Sequence, residues 1–282
     1  MVQSLHIPKP IVDLVVGEAN GSARSFLNPD DPQAGLYCTF ECTSYATSKP
    51  NTATATIHNL GEDTWRYLEK PNLILTVNAG ADIPGQLFRG AISRDGVITV
   101  GKMQDRVTTI KAADGRRAYR DAPFIKSYPK GASVLSRIIP DIAAAMDKPV
   151  KVSARIPAAL RSYTIPTGWS FVHPARDALT EVLLPFGLDW SIIGGTIYIL
   201  SPLEALPGNA PLISPETGLH DRVERTKKGC KYKSVLNPAI IAGQASVVRS
   251  EDWSGTIRNE KVTHKGNTRA TEWYTKAMGT KI

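Results

Sequence analysis

The sequence predicts a mainly β protein with a small α/β insert. Three observations predict it. Short apolar or alternating stretches recur about every ten residues through the first hundred positions and again after position 228. The 22 Gly and 20 Pro are scattered between those stretches rather than clustered, as turn residues are. Helical spacing is confined to one block in the middle of the chain. At 282 residues the chain exceeds what one compact core usually serves. We divide it into a first β-barrel domain over 1–120, an α/β element over 121–201 and a second β-barrel domain over 202–282.

In the first part, Ile11 to Val16, Leu36 to Thr43, Thr52 to Leu60, Leu73 to Ala79, Leu87 to Ser93, Val97 to Gly101 and Val107 to Ala113 read as strands. In Thr52 to Leu60, small apolar residues alternate with Thr and His, the pattern of a half-buried strand. A short helical turn is expected at Asp63 to Leu68.

The middle block changes period. Ser133 is placed as an N-cap, and Val134, Ile138, Ile142 and Met146 then recur every four residues on one helix face. Pro140 falls inside this pattern, which predicts a kink or an interruption. A second helix follows Pro174, with Ala175, Ala178, Leu179, Val182 and Leu183 on one face and Pro185-Phe186-Gly187 as its stop. Leu188 to Ile192 and Thr196 to Leu200 then form a hairpin turned at Gly194-Gly195. Pro202 to Pro215 reads as a linker. Strands resume at Gly229 to Leu236, Gln244 to Ser250, Gly255 to His264 and Thr271 to Ala277. The two β parts could be separate or could pair across the insert.

Chemistry-bearing motifs are few. Cys38, Cys42 and Cys230 are an odd set, with no second ligand pair for a metal, and fit buried apolar positions. Gly96 to Lys102 matches the spacing of a phosphate-binding loop, but Met103 stands where the Mg²⁺-binding hydroxyl is needed, and the residues between the glycines are β-branched. His6, His58, His173, His220 and His264 lack ligand spacing. The pairs Asp30-Asp31 and Glu251-Asp252 lie in turn-like stretches. We assign no catalytic, cofactor or metal residue. No apolar run has the roughly 20 residues of a bilayer span, and the N-terminus has no signal-peptide pattern, so cytoplasmic synthesis and no membrane insertion are expected.

The formal net charge is +8. From Leu206 to Ile282 there are 13 Lys or Arg against 7 Asp or Glu, and Arg222, Arg225, Lys227, Lys228, Lys231 and Lys233 share their segment with Glu224 alone. Such a cluster fits nucleic acid, an acidic protein surface or a guarded strand edge. The aromatics, with Trp65, Trp169, Trp190, Trp253 and Trp273 far apart, add one Lys-Tyr-Lys triplet at 231–233.

Several segments, in order, resemble the late control D family of phage tail or baseplate hub proteins, which is similar to the base of type VI secretion spikes. Ala53 to Leu60 with the acidic turn at 61–64, Leu75 to Gly80, Leu87 to Ile92 and Ala113-Asp114-Gly115 resemble the family's first β block. Tyr128 to Leu135 resembles the opening of its helix, and the stretch through Trp190 and Ile197 to Ile199 its α/β insert. Ser234 to Pro238 with Ile241-Ala242-Gly243, Val262 to Asn267 and Glu272 to Thr275 resemble its last block. The resemblance covers residue 50 to the end and departs at Asn267 and at Arg222 to Lys233. It implies two tube-like β barrels flanking the insert, and a homotrimeric ring that adapts a hexameric tail tube to a trimeric spike while letting the genome pass. It implies as partners a tail tube or distal tail protein, a spike or central needle protein and a tape measure protein, with DNA only in transit. It implies location in the virion baseplate after assembly in the host cytoplasm, and His264 as a structural hydrogen-bonding residue. Other readings are a basic β-rich nucleic-acid-binding protein and a cell-wall hydrolase of the tail tip.

Overall fold

The structure is a computed structural model that describes residues 10–18, 21–26, 36–81, 84–101, 105–120, 122–153, 155–201, 203–269 and 272–282. The Asp30-Asp31 pair, His6, Lys102 and Met103 lie outside the described residues.

The first β region comprises β1 (Pro10–Glu18), β2 (Ala23–Ser25), β3 (Cys38–Tyr45), β4 (Thr52–His58), the short helix α1 (Glu62–Leu68), β5 (Leu73–Ala81), β6 (Gly85–Val100), β7 (Val107–Ala113) and α2 (Arg116–Arg120). The two strands expected at 87–93 and 97–101 are one 16-residue strand, β6. Its pairing with β7 jumps between Ile92 and Val97, so Ser93 to Gly96 form a wide bulge. The turn residues Arg94, Asp95 and Gly96 bend the strand there without ending it. Val97 to Val100 continue in β6, so the phosphate-loop spacing lies on a strand rather than opening a helix.

The insert comprises β8 (Pro123–Tyr128), a π-helical turn over Val134–Ile138, α3 (Ile139–Ala145), β9 (Val150–Val152), α4 (Ala158–Ser162), β10 (Trp169–Pro174), α5 (Ala175–Leu183), β11 (Asp189–Ile193) and β12 (Thr196–Leu200). The expected interruption is present. Ser133 Oγ accepts from the Ser136 amide at 3.3 Å, and the wider turn runs to Ile138. Pro140 then sits in the first turn of α3, where its missing N–H costs nothing. α5 spans the expected residues and buries Ala175, Ala178, Leu179, Val182 and Leu183. The β11–β12 hairpin turns at Gly194 and Gly195, both with positive φ, as a tight two-residue turn requires. The β8–β10 ribbon, β9 and α4 were not legible. Their sequences are too short or too mixed in polarity to set a period.

The last region comprises β13 (Leu212–Ile213), β14 (Glu224–Arg225), β15 (Gly229–Val235), β16 (Ala245–Arg249), β17 (Ser254–Asn267) and β18 (Tyr274–Lys281). Part of the expected linker is ordered: β13 pairs in parallel with β16, and Leu206 bridges to Gln244.

The two β regions pair across the insert. β17 hydrogen-bonds to β3 in antiparallel register, from Lys261 opposite Tyr45 to Asn267 opposite Thr39. One sheet therefore runs β14-β15-β18-β17-β3-β4-β7-β6-β5-β1-β2, with β16 also on β17. Three apolar clusters form beneath this frame. One lies under the first region, around Leu14, Phe40, Ile57, Leu75 and Ile110, and takes in Leu236 and Trp273 from the last region. One fills the insert around Ile138, Ile142, Phe171, Leu179 and Trp190. The third lies around Ile213, Tyr232, Ile240, Val248 and Val262.

Candidate functional site: the seam between the β regions

The residues singled out from the sequence do not converge on a reactive centre. Cys38, Cys42 and Cys230 are free and buried, and burial pushes the Cys38 thiol up to about 12 and Cys230 to about 11. A thiol held neutral in this way is neither nucleophile nor ligand. Among the described residues no three His, Cys, Asp or Glu side chains group as a metal site. His58 packs on the Tyr37 ring at 4.5 Å, and His173 meets Glu181 at 3.0 Å on the insert surface. Glu251 and Asp252 occupy the turn between β16 and β17. Among the described residues no helix is long and apolar enough to cross a membrane.

What does converge is a set of structural polar groups at the seam. His264 lies on β17 opposite Cys42 of β3 and Thr275 of β18. Thr275 Oγ1 accepts from the Asn237 amide at 3.0 Å and lies 2.9 Å from His264 Nδ1. The Ile240 backbone also interacts with the ring and favours its protonated form. Nδ1 and the threonine hydroxyl share one hydrogen bond, whose direction follows the tautomer of the neutral ring. Burial drives its pKa down to about 4. Asn237 and His264 belong to two separate sequence motifs; Asn237 joins the bond chain through its backbone amide, while its side-chain Oδ1 accepts from the Ala239 amide at 2.9 Å and shapes the turn. Gly266 is held by space: a Cβ there would stand 2.4 Å from the Phe40 ring and 2.7 Å from Trp273.

Two further polar clamps fix the insert. Asn51, at the start of β4, donates from Nδ2 to the Ile192 carbonyl at 2.9 Å and accepts from the Tyr45 amide at 2.8 Å. Asp114, at the end of β7, accepts from the turn amides of Gly194 and Gly195, while burial raises its pKa. On the other side Arg258 is 3% exposed; it pairs with Glu260 at 2.7 Å and donates to the Ser201 and Glu204 carbonyls. The sequence reading missed Asn51 and Arg258, because nothing local distinguishes an Asn or Arg that closes a long-range contact.

The basic cluster of the sequence is dispersed. Lys231 meets Glu224 at 3.4 Å, Lys233 meets Asp221 at 3.7 Å, and Arg225 donates to the Asp252 carbonyl. β14 carries Glu224 and Arg225 on the outermost edge of the sheet, where charge guards against stray pairing.

No protein-family model matches the chain, and no curated protein matches it in sequence. Solved structures do match. A 43 kDa tail protein of prophage MuSo2 from Shewanella oneidensis superposes with TM-score 0.67 over 97% of both chains at 8% identity. The chain has the fold of phage tail proteins. A tail protein from Neisseria meningitidis MC58 matches with TM-score 0.64 over 96% of both chains at 10% identity. The Escherichia coli c3393 protein, a type VI secretion component described as structurally similar to the phage T4 tail proteins gp27 and gp5, matches with TM-score 0.59 at 10% identity, covering 89% of this chain and 75% of its own.

Proposed function

We propose that the chain is a structural subunit of a phage-type tail: a baseplate hub that forms a homotrimeric ring between a hexameric tube and a trimeric spike. The observation that carries this reading is the shared architecture. The S. oneidensis tail protein aligns over 97% of each chain, so insert and both β regions are matched together. Two β regions joined in one sheet give each subunit two β segments, as a three-subunit ring with six similar segments needs. The chemistry agrees. His264, Asn51 and Arg258 are engaged in internal bonds that tie the β regions and the insert together, which suits a structural part. In this reading the partners are two further copies, a tail tube or distal tail protein above, a spike or central needle below and a tape measure protein, and the genome passes in transit. The division into two barrel-like domains and an insert belongs to the same proposal.

Light scattering and negative-stain class averages of the purified chain test it. A three-fold ring with a central opening is the expected result. A compact monomer that stays monomeric with tube and spike proteins present overturns it.

A further inference from the structure

The strand register gathers lysines from distant parts of the chain onto one face of the sheet. Across β15, β18, β17, β3, β4 and β7, every second residue points away from the core. One outward row is Lys231, Met278, Lys261 and Tyr45. The next is Lys233, Lys276, Thr263, Thr43 and Thr52. A third is Tyr274, Lys265, Glu41, Thr54 and Lys111. A fourth is Asn267, Thr39, Thr56 and Thr109. Six strands at about 4.8 Å spacing make a face about 24 Å wide. Only two lysines of the sequence cluster, Lys231 and Lys233, lie on it. Lys227 and Lys228 sit in the turn between β14 and β15.

We propose that this lysine and threonine face is a contact surface for the phosphate backbone of duplex DNA. The inference deepens the tail reading, which supplies the polyanion that would move past it. The residue types decide between the two macromolecular partners that fit a cationic face. The cores of protein interfaces are depleted in lysine and built on aromatic and aliphatic anchors. The rows hold Tyr45, Tyr274 and Met278 but no Trp, Phe, Leu or Ile, and lysine ammonium groups stand over both tyrosine rings. Phosphate contacts are made by Lys and by Ser or Thr hydroxyls, without regard to sequence. The six lysines face four carboxylates, Glu41, Asp221, Glu224 and Glu272, so the face is cationic by a small margin. The carboxylates of the three ion pairs are 54% to 72% exposed, and exposed pairs exchange partners readily. Lys276 stands 5.2 Å from the Tyr274 ring centre and Lys261 5.7 Å from that of Tyr45, which holds the ammonium groups out on the face. A surface of this kind holds DNA weakly and releases it, as a passage must.

The test is fluorescence anisotropy of the full chain with a labelled duplex at low salt, about 20 mM, followed by a salt titration. The triple variant Lys233→Gln, Lys261→Gln, Lys276→Gln is compared with Arg222→Gln, Lys227→Gln, Lys228→Gln, which removes the same charge off the face. The first set is expected to lose about tenfold or more in affinity and to flatten the salt slope by about 2 to 3, whereas the control changes less than about twofold. The single variant Lys276→Gln, at an exposed position, serves if the triple variant melts early. Equal loss in both sets, or no binding by the unaltered chain, overturns the proposal. Displacement of the duplex by polyglutamate at equal charge also overturns it and assigns the face to an acidic protein. A chain that binds DNA through this face but forms no ring keeps this inference and loses the hub reading; a ring that ignores DNA does the reverse.

Discussion

Asn51 and Ile192 lie 141 positions apart, and the Asn51 side-chain amide donates to the Ile192 carbonyl at 2.9 Å. Asn51 is 6% exposed and satisfies a second backbone group, the Tyr45 amide, at the same time. Its own carbonyl accepts from Asp114, whose side chain reaches the Gly194–Gly195 turn. Asn51 and Asp114 together therefore tie the first β region to the insert hairpin. Replacing Asn51 by Ala strands two buried backbone groups, at a cost of about 1–3 kcal/mol. Asn51→Asp is expected to be no better, because a carboxylate cannot donate to Ile192. Urea denaturation of the two variants checks this; an unchanged midpoint for Asn51→Asp would refute the donor role.

Arg258 makes a second clamp where the insert ends, at the Ser201 and Glu204 carbonyls. Removing one partner of a buried pair leaves the other charge uncompensated, typically at 3–5 kcal/mol. Glu260 keeps some solvent contact, at 19% side-chain exposure, so the lower end is expected for Arg258→Ala. Replacing both, as Arg258→Met with Glu260→Met, should recover part of the loss. Thermal melting of the single and double variants decides it, and equal destabilisation by both would mean that the carbonyl contacts to Ser201 and Glu204 dominate.

The thiols give a check on the packing. With Cys38, Cys42 and Cys230 buried and held neutral, the folded chain should show no thiol reactive with DTNB within minutes, and three after denaturation. One fast thiol in the folded chain would contradict the burial of that strand.

The strands and α5 were legible because their signals are local. Thr52 to His58 alternates with period two, and Ala175 to Leu183 repeats with period 3.6 between a proline and a glycine stop. The β6 bulge was read as a gap, since Arg94, Asp95 and Gly96 carry turn chemistry that the ladder with β7 overrides. The pairing of β17 with β3 was open from sequence. Over two hundred residues separate His264 from Cys42, and an alternating strand specifies which face is buried but not its neighbour. The seam motifs were visible as Asn237, His264 and Gly266, yet their shared purpose needed the register of three strands. The lysine face was not visible for the same reason: of its six lysines only Lys231 and Lys233 fall within the Arg222 to Lys233 run.

His264 carries the pH prediction. In the unfolded chain its imidazole takes up a proton near 6.5, and in the folded chain only near 4, because burial penalises the charged ring. Between those values the unfolded state binds more protons, so stability rises with pH. The contribution of this residue is intact above about pH 6.5, falls as pH drops through the window, and loses nothing further below about 4. The difference of the two values caps the loss at on the order of 3 kcal/mol. His264→Asn keeps an acceptor toward the Thr275 hydroxyl and cannot take up a proton. Unfolding free energies for both chains from pH 8 to pH 5 isolate the effect from the carboxylates they share. The unaltered chain should lose stability more steeply than the variant below pH 6.5; parallel curves would mean that the imidazole takes up its proton at the same pH folded and unfolded, and that its burial is wrongly assigned.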